Sequence, residues 1–364
     1  MSRLRVVIAP DSFKGTLGAP EVAAALAAGW SRSRPDDVVV TLPLADGGEG
    51  TLDAFERACP GSVRHESVVE GPDGRPVDAP WLTLPDGTAV VELASSCGLG
   101  LLSSPAPHDA NTRGLGGVIR AAVDAGATRL VVGLGGSAST DGGAGALTIL
   151  GARIVDSLGE PVASGNHGLT TAARVDLSGL IALPPDGVTL LVDVDSPLLG
   201  PDGAAAVFGP QKGASVDDVL ALEQGLERFA SLVDVDPTTP GAGAAGGTGF
   251  GLLAWGARLQ PGAVAVAETV RLAEALAHGD VVVTGEGSFD GQTAAGKTVS
   301  LVRRMADAVG VPVVLVAGAV DAPADGFVDV VSTTQMAGGV AESTTRASYW
   351  VGEAAAQVAG RWAR

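Results

Sequence analysis

The chain has 364 residues, which is enough for two domains with a full hydrophobic core each. Charged residues make up 18% and the formal net charge is −18, a balance that excludes nucleic acid and anionic membrane surfaces as partners. Two cysteines exclude a disulfide framework, and without a secretory signal or an apolar run of roughly 18 residues the sequence predicts a cytoplasmic protein.

Both ends of the chain alternate strands and helices, with glycine-rich loops between them. Near the N-terminus the pattern predicts strands at Arg5–Ala9 and Val38–Leu42, followed by helices at Pro20–Trp30 and from Thr51. Near the C-terminus it predicts strands at Asp280–Thr284, Val313–Ala317 and Val328–Ser332, and helices at Val299–Ala308 and Ala347–Trp362. Repeated strand–loop–helix units are typical of a parallel sheet.

The middle of the chain predicts hairpins between Val63 and Leu93, with turns at Pro72–Gly74 and Pro85–Gly87. Beyond them it predicts helices at Gly116–Ala125 and Val216–Val233 and strands at Arg129–Gly133 and Thr189–Val194. We therefore predict an α/β protein with a discontinuous Rossmann-like or flavodoxin-like parallel-sheet domain, residues 1–66 and 280–364. A second α/β domain, residues 67–279, is inserted into it.

Three loop motifs follow predicted strands of the terminal domain: Asp11–Thr16, Asp46–Thr51 and Glu286–Thr298. Ligands of open parallel sheets bind outside the carboxyl ends of the strands, so these carboxylate-bearing loops are expected at one site. Asp and Gly are also ordinary turn residues, and that reading stays open for each motif alone.

Lysine is rare in this chain. Of 23 basic residues only Lys14, Lys212 and Lys297 are lysines, and each lies beside a glycine. A compact ammonium acts as a point charge on phosphate where the planar guanidinium of arginine would not fit. The alternative is chance, since glycine is common here.

The segment Gly133–Leu147 follows a predicted strand and leads into a predicted helix. Glycine lets backbone N–H groups approach an anion, and a helix N-terminus adds positive potential. The candidate phosphate contacts are Gly135, Gly136, Ser137, Ser139 and Thr140. Close packing is the alternative reason for so many glycines.

Two further sets of residues suggest ligand binding. Asp193 and Asp195 stand two residues apart at a strand end, an arrangement that suits a hard cation such as Mg²⁺. Arg113, in a loop before a helix, is a candidate for binding a carboxylate.

Two common nucleotide motifs occur in the wrong context. Gly291–Thr298 satisfies the Walker A pattern, but six residues separate it from the preceding strand. Gly241–Gly246 satisfies the dinucleotide pattern, but no buried strand precedes it.

Taken together, the motifs resemble the glycerate kinase type 1 family of bacteria. The resemblance covers nearly the whole chain and rests on seven blocks in order: APDSFKGTL, LADGGEGT, GLGGSASTDGGAGAL, DVDSPLLGP, FGPQKGA, PGAGAAGGTGFG and TGEGSFDGQTAAGK. One departure is Ser196, where many relatives carry Asn.

The resemblance implies two α/β domains and ATP-dependent phosphorylation of D-glycerate, with 2-phosphoglycerate as the expected product. We expect Mg²⁺–ATP on the Gly133–Gly145 loop, the metal on Asp193 and Asp195, and Lys212 near the nucleotide. The other expected roles are substrate binding by Asp11, Ser12, Lys14, Arg113 and Glu286, charge balance by Lys14 and Lys297, and proton acceptance by Asp46 or Asp290. The expected oligomeric state is a monomer or a homodimer.

Three alternatives stay open. A glycerate 3-kinase would give 3-phosphoglycerate. A non-catalytic phosphoanion-binding protein would keep the glycine loops without needing carboxylates on several loops. An NAD-dependent oxidoreductase would use Gly241–Gly246.

Overall fold

A computed structural model describes residues 3–13, 15–45, 47–48, 50–290 and 298–362. The chain divides into two compact units. The first contains Met1–Asp46, Asp53–Cys59 and Ala263–Arg364, and the second contains Gly47–Leu52 and Pro60–Gly262. The predicted domain limits, 1–66 with 280–364 and 67–279, stay a prediction.

The described residues form the following strands: β1 Arg5–Ile8, β2 Val38–Thr41, β3 Val63–Glu70, β4 Pro76–Thr83, β5 Thr88–Glu92, β6 Arg129–Gly133, β7 Arg153–Val155, β8 Arg174–Asp176, β9 Val188–Val192, β10 Arg258–Pro261, β11 Val281–Phe289, β12 Val313–Val320 and β13 Asp329–Ser332. They also form these α-helices: α1 Ala19–Ser33, α2 Thr51–Ala58, α3 Leu93–Cys97, α4 Arg113–Asp124, α5 Ala144–Leu150, α6 Asn166–Leu169, α7 Ala204–Phe208, α8 Val216–Ala230, α9 Ala244–Trp255, α10 Gly262–Thr269, α11 Leu272–Ala277, α12 Thr298–Val309, α13 Thr333–Ala337, α14 Val340–Thr345 and α15 Ala347–Arg361. Two short 3₁₀ helices lie at Leu99–Leu101 and Pro210–Lys212.

The sheet of the first unit is parallel throughout, with the order β13-β12-β11-β1-β2. Counted within the unit, this is the flavodoxin-like order 2-1-3-4-5, in which the strand order reverses between β1 and β11. The predicted α/β fold class with a parallel sheet is confirmed.

Helices cover both faces of this sheet because its strands are apolar on both sides. Val6 and Ile8 of β1 belong to a core shared with α1 and α15. These two helices approach so closely that a Cβ on Gly29 would collide with the carbonyl oxygen of Gly352. On the other side, Val299 of α12 packs with Leu315 of β12.

The strand predicted at Asp280–Thr284 is too short. In the structure β11 continues to Phe289, and Gly285–Phe289 pairs with Val316–Val320 of β12. The glycines of this segment suggested a loop, but the neighbouring strand supplies hydrogen-bond partners that the sequence pattern does not reveal. As a result, Glu286 lies on a strand.

The second unit contains a mixed sheet with the order β10-β9-β6-β5-β4-β3. Strands β3, β4 and β5 pair in antiparallel fashion, as the hairpin pattern predicts, whereas β5, β6, β9 and β10 are parallel. A small antiparallel pair, β7 and β8, stands apart from it. None of the helices formed by the described residues is long and apolar enough to cross a membrane.

Candidate functional site

A cavity of about 370 Å³ lies at the carboxyl edge of the parallel sheet of the first unit. Asp11 and Ser12 follow β1, Glu286 lies on β11, and Asp290 directly follows β11; all four line this cavity. It therefore occupies the point where the strand order reverses, which is the usual ligand position in such sheets. The structure thus brings together four residues that the sequence analysis singled out.

The Asp11 carboxylate is held by segments far apart in the sequence. Its Oδ2 accepts a hydrogen bond from Thr298 Oγ1 at 2.7 Å, and its Oδ1 accepts one from the backbone N–H of Ser12 at 2.6 Å. The backbone N–H of Asp11 donates to the carbonyl oxygen of Gly285 at 2.8 Å. Because the side chain is only 8% exposed, these bonds fix its orientation at the cavity wall.

The described part of the cavity wall is acidic. Asp11, Glu286 and Asp290 contribute carboxylates, and no lysine, arginine or histidine occurs among the described lining residues. An anionic substrate would need positive charge here. The predicted sources, Lys14 and Lys297, lie outside the described residues, as do Asp46 and the Walker-like stretch 291–297.

Four hydroxyl-bearing residues that also line the cavity were not predicted. Thr333 and Thr334 begin α13, immediately after β13, while Ser343 and Thr344 belong to α14. The hydroxyls of Thr333 and Ser343 bond to each other at 3.0 Å. The sequence could have indicated Thr333 and Thr334, because they directly follow the predicted strand Val328–Ser332 and so lie at the same sheet edge.

The predicted phosphate loop, Gly133–Leu147, follows β6 and leads into α5. Gly135 is half-buried and Gly136 is exposed, whereas the side chains of Ser139 and Thr140 are fully buried. The Ser139 and Thr140 hydroxyls have no hydrogen-bond partner among the described residues. The backbone of the loop is therefore accessible at Gly135 and Gly136, whereas the hydroxyls of Ser139 and Thr140 are buried in the protein.

Lys212 reaches this loop from inside the second unit. The side chain is 1% exposed, and Nζ donates to Ser137 Oγ at 2.8 Å and to the carbonyl oxygen of Ser139. Burial lowers the pKa of Lys212 to about 7, although the nearby Asp141 charge opposes that shift. A Cβ on Gly246, whose φ is 65°, would lie 2.9 Å from Nζ, so the lysine fills its site.

Asp141 anchors the second half of the loop. Its carboxylate accepts hydrogen bonds from Thr112 N at 2.9 Å, Thr112 Oγ1 at 2.8 Å, Gly143 N at 3.1 Å and Gly145 N at 3.1 Å. Burial raises the pKa of this carboxyl group, and the hydrogen bonds oppose the shift. All the donors belong to the starts of α4 and α5 or the turn before α5, so Asp141 joins these two helices at their N-terminal ends.

Arg113 lies in the second unit, whereas Asp11, Ser12 and Glu286 lie in the first. It is the first residue of α4, and its Nε donates to Glu70 of β3 at 2.9 Å. It also lines a smaller cavity of about 200 Å³ within that unit.

The predicted metal ligands lie just past the end of β9. Asp193 Oδ1 accepts a hydrogen bond from the backbone N–H of Gly262 at 2.9 Å, and Asp195 is exposed. Within the described ranges, no group of three or more His, Cys, Asp or Glu residues could hold a metal ion. Mg²⁺ commonly uses one or two carboxylates together with substrate phosphates, so this pair fits a metal that arrives with a nucleotide.

The dinucleotide pattern Gly241–Gly246 has the wrong surroundings. It follows turns at Asp236–Thr239, and residues 231–240 contain no strand. Ala245 and Gly246 adopt left-handed backbone angles inside the segment assigned to α9. The segment packs on the Gly133–Leu147 loop through Gly246, which agrees with a packing role.

Comparison with known proteins identifies the family. The model of the glycerate kinase family matches residues 6–363, so the chain belongs to that family and is an enzyme. It is 43% identical to glycerate kinase of Bacillus subtilis over 327 residues, covering 87% of this chain and 85% of the relative. It is 41% identical to glycerate 2-kinase of Escherichia coli over 326 residues, covering 86% and 85% respectively.

The fold is also that of a solved relative. A crystal structure assigned to glycerate kinase 2 of Salmonella typhimurium LT2 superposes with a TM-score of 0.83 at 38% identity, and the match covers 99% of this chain and 98% of that one. The resemblance inferred from the seven motif blocks is therefore confirmed at the level of the family.

Proposed function

We propose that this enzyme transfers the γ-phosphoryl group of ATP to D-glycerate and forms 2-phosphoglycerate. Membership of the glycerate kinase family carries this proposal. The choice of the 2-hydroxyl is supported by the relative named glycerate 2-kinase, which is 41% identical.

We propose that glycerate occupies the cavity at the carboxyl edge of the first unit. Glycerate carries two hydroxyls and a carboxylate, and the cavity offers carboxylates and hydroxyls that suit the substrate hydroxyls. Lys14 and Lys297 are the proposed partners of the substrate carboxylate and of the transferring phosphate. Their support is chain connectivity: Phe13 lines the cavity, and Thr298 is bonded to Asp11.

A carboxylate in the cavity is the proposed proton acceptor for the attacking hydroxyl. Asp290 follows β11 and lines the cavity, which supports it as the candidate among the described residues; Asp46 stays the other candidate. Hydrogen bonds from Thr298 and Ser12 already fix the Asp11 carboxylate, so its proposed role is to orient the substrate hydroxyls. In phosphoryl transfer such a base mainly orients the nucleophile.

We propose that the ATP phosphates contact the backbone at Gly135–Gly136 and the Ser137 hydroxyl. The half-buried Gly135 and the exposed Gly136 support this assignment, while burial of Ser139, Thr140 and Lys212 removes support for direct contact through their side chains. Asp193 and Asp195 are the proposed Mg²⁺ ligands. A cation held by these two carboxylates would supply positive charge against the phosphates.

Product identification tests the proposal. The purified protein is incubated with D-glycerate, ATP and Mg²⁺, and product is detected through enolase with or without added phosphoglycerate mutase. A signal without mutase is expected, since enolase accepts 2-phosphoglycerate directly. A signal only after mutase addition indicates a 3-kinase, and no ATP turnover with D-glycerate overturns the kinase proposal. EDTA should abolish turnover because the phosphates need a bridging cation.

A further inference from the structure

Lys212 is a buried basic residue to which the proposed reaction gives no direct role. Its side chain is 1% exposed, so the ammonium does not meet solvent in this structure. Both of its hydrogen bonds go to the loop after β6, one to Ser137 Oγ and one to the carbonyl oxygen of Ser139. The ammonium therefore holds the loop immediately beyond Gly135 and Gly136.

Backbone bonds hold the main chain of this part of the loop: the Leu99 N–H donates to the Gly136 carbonyl at 2.9 Å, and Ser137 forms an isolated β-bridge with Gly98. The hydroxyls of Ser139 and Thr140 are buried and have no partner among the described residues. The backbone N–H of Ala138 donates to the Cys97 carbonyl at 3.0 Å, and the Gly135 N–H donates to the Gly47 carbonyl at 3.0 Å. Between these backbone bonds, the Ser137 side chain is fixed by Lys212.

We propose that Lys212 is a positioning residue that orients Ser137 and the adjoining Gly135–Gly136 backbone toward the ATP phosphates without touching the nucleotide. This inference rests on the proposed use of the loop for ATP. Hydrogen-bond donors that are already oriented bind an anion more tightly, because no free energy is lost in ordering them on binding. A buried positive charge behind the loop adds attraction for phosphate that water screens poorly.

The charge on Lys212 also makes this loop sensitive to pH. Asp141 is the charged group of the loop that acts on the ammonium, and it favours protonation. The packed segment Ala244–Thr248 contains no titratable residue, and Asp218 at the start of α8 bonds instead to Ser215 and His108. Since the pKa is about 7, the protonated form decreases as pH rises above neutrality, and ATP affinity should fall with it.

The test compares KM for ATP with KM for D-glycerate between pH 6 and 9. In wild type, KM for ATP is expected to rise with pH above neutrality. Lys212→Met, which keeps the length but neither charge nor donors, should raise KM for ATP about 10- to 100-fold at pH 6.5, the loss expected for a charge-assisted hydrogen bond. It should leave KM for D-glycerate within about threefold and flatten the pH profile for ATP. Lys212→Gln restores donors without a titrating charge, so it should recover part of the affinity but not the pH dependence.

Arg228→Met is the matched control, because Arg228 also bonds to a backbone carbonyl of this unit, that of Ala172 at 2.6 Å, from an exposed position. Its pH profile should match wild type. The inference is overturned if Lys212→Met raises both KM values equally or keeps the wild-type pH profile. Those results would leave the kinase proposal intact, whereas an inactive wild type would overturn that proposal.

Calorimetry of ATP binding keeps the inference testable if Lys212→Met does not fold. Binding to wild type at pH 8, measured in two buffers of different ionisation enthalpy, should show proton uptake because bound phosphate favours the protonated lysine. Zero uptake overturns the role of Lys212 whether or not the protein turns over glycerate.

Discussion

Thr298 Oγ1 donates a hydrogen bond of 2.7 Å to Asp11 Oδ2, although 287 positions separate the two residues. Thr298 is the first residue of α12, and Asp11 follows β1. This bond ties together the two ends of the chain at the wall of the cavity proposed to bind glycerate. Both side chains are buried, at 1% and 8% exposure, so water cannot readily replace the bond.

Thr298→Val should therefore destabilise the protein. Valine matches threonine in shape but leaves a buried carboxylate oxygen without this donor, which costs about 1–3 kcal/mol in the free energy of unfolding. Urea denaturation measures the change. Thr170→Val is the control, because the Thr170 hydroxyl bonds at the surface to the carbonyl of His167. Equal stability of both variants would show that the Asp11–Thr298 bond contributes nothing.

Lys14→Arg and Lys297→Arg should each lower kcat/KM by about a hundredfold, equivalent to about 2.7 kcal/mol of transition-state stabilisation. The longer, planar guanidinium should not fit a place where a compact ammonium meets phosphate or carboxylate. Steady-state kinetics with ATP and D-glycerate measure the effect.

Arg361→Lys sets the baseline for this exchange. Arg361 is half-exposed and forms a surface ion pair with Asp329, a type of pair that contributes about 0–1 kcal/mol. Its kinetics should match wild type. If both Lys→Arg variants at positions 14 and 297 did the same, the lysines would have no role in the site.

Lys212→Arg should mainly reduce stability. The Lys212 side chain is only 1% exposed, so a change of its size affects the packing of the interior. An arginine would have to displace its neighbours around Gly246 and Ser139, and overpacking of this kind costs about 1–3 kcal/mol. Thermal and urea denaturation should detect the loss, with Arg361→Lys again unchanged. An unaltered melting temperature would mean that the interior around Lys212 adapts freely.

The stability of the protein should depend on pH through Lys212. Its pKa falls from 10.5 to about 7 on folding, so between these values the unfolded chain binds more protons than the folded chain. The free energy of unfolding therefore rises with pH in that range, by at most about 1.4 kcal/mol per pH unit from this group. Lys212→Met should remove this contribution, seen as a shallower slope in urea denaturation between pH 7 and 9. Parallel slopes would contradict the lowered pKa.

The two cysteines should differ in reactivity. Cys97 is fully buried and its Sγ accepts a hydrogen bond from the backbone N–H of Leu115 at 3.2 Å. Burial raises the pKa of its thiol to about 12, so little thiolate forms near neutrality. Cys59, which is half-buried, should react with a thiol reagent in the native protein, while Cys97 should react only after denaturation. Cys59→Ser should remove the native reaction; rapid labelling of that variant would contradict the burial of Cys97.

The family, the α/β class, most strands and most of the longer helices could be predicted from the sequence alone. Motifs such as Asp11–Thr16 and periodic apolar runs consist of neighbouring residues, so they can be recognised without knowledge of the fold. The length of β11 was not predicted, because its second half is stabilised by pairing with β12 rather than by its own composition. The three- and four-residue strands β7, β8 and β10 are too short to show a period.

Which candidate residues line the same cavity, and how exposed each one is, followed from the fold rather than from the sequence. Asp11, Glu286 and Asp290 line one cavity because parallel strands align their carboxyl ends, and Thr333 and Thr334, at the start of the helix after β13, line it too. The sequence marked Lys212 as unusual but could not place it inside the protein. Ser137, Ser139 and Gly246 surround it, brought together by the fold from distant positions, and this burial is the observation behind our proposal that Lys212 positions the loop.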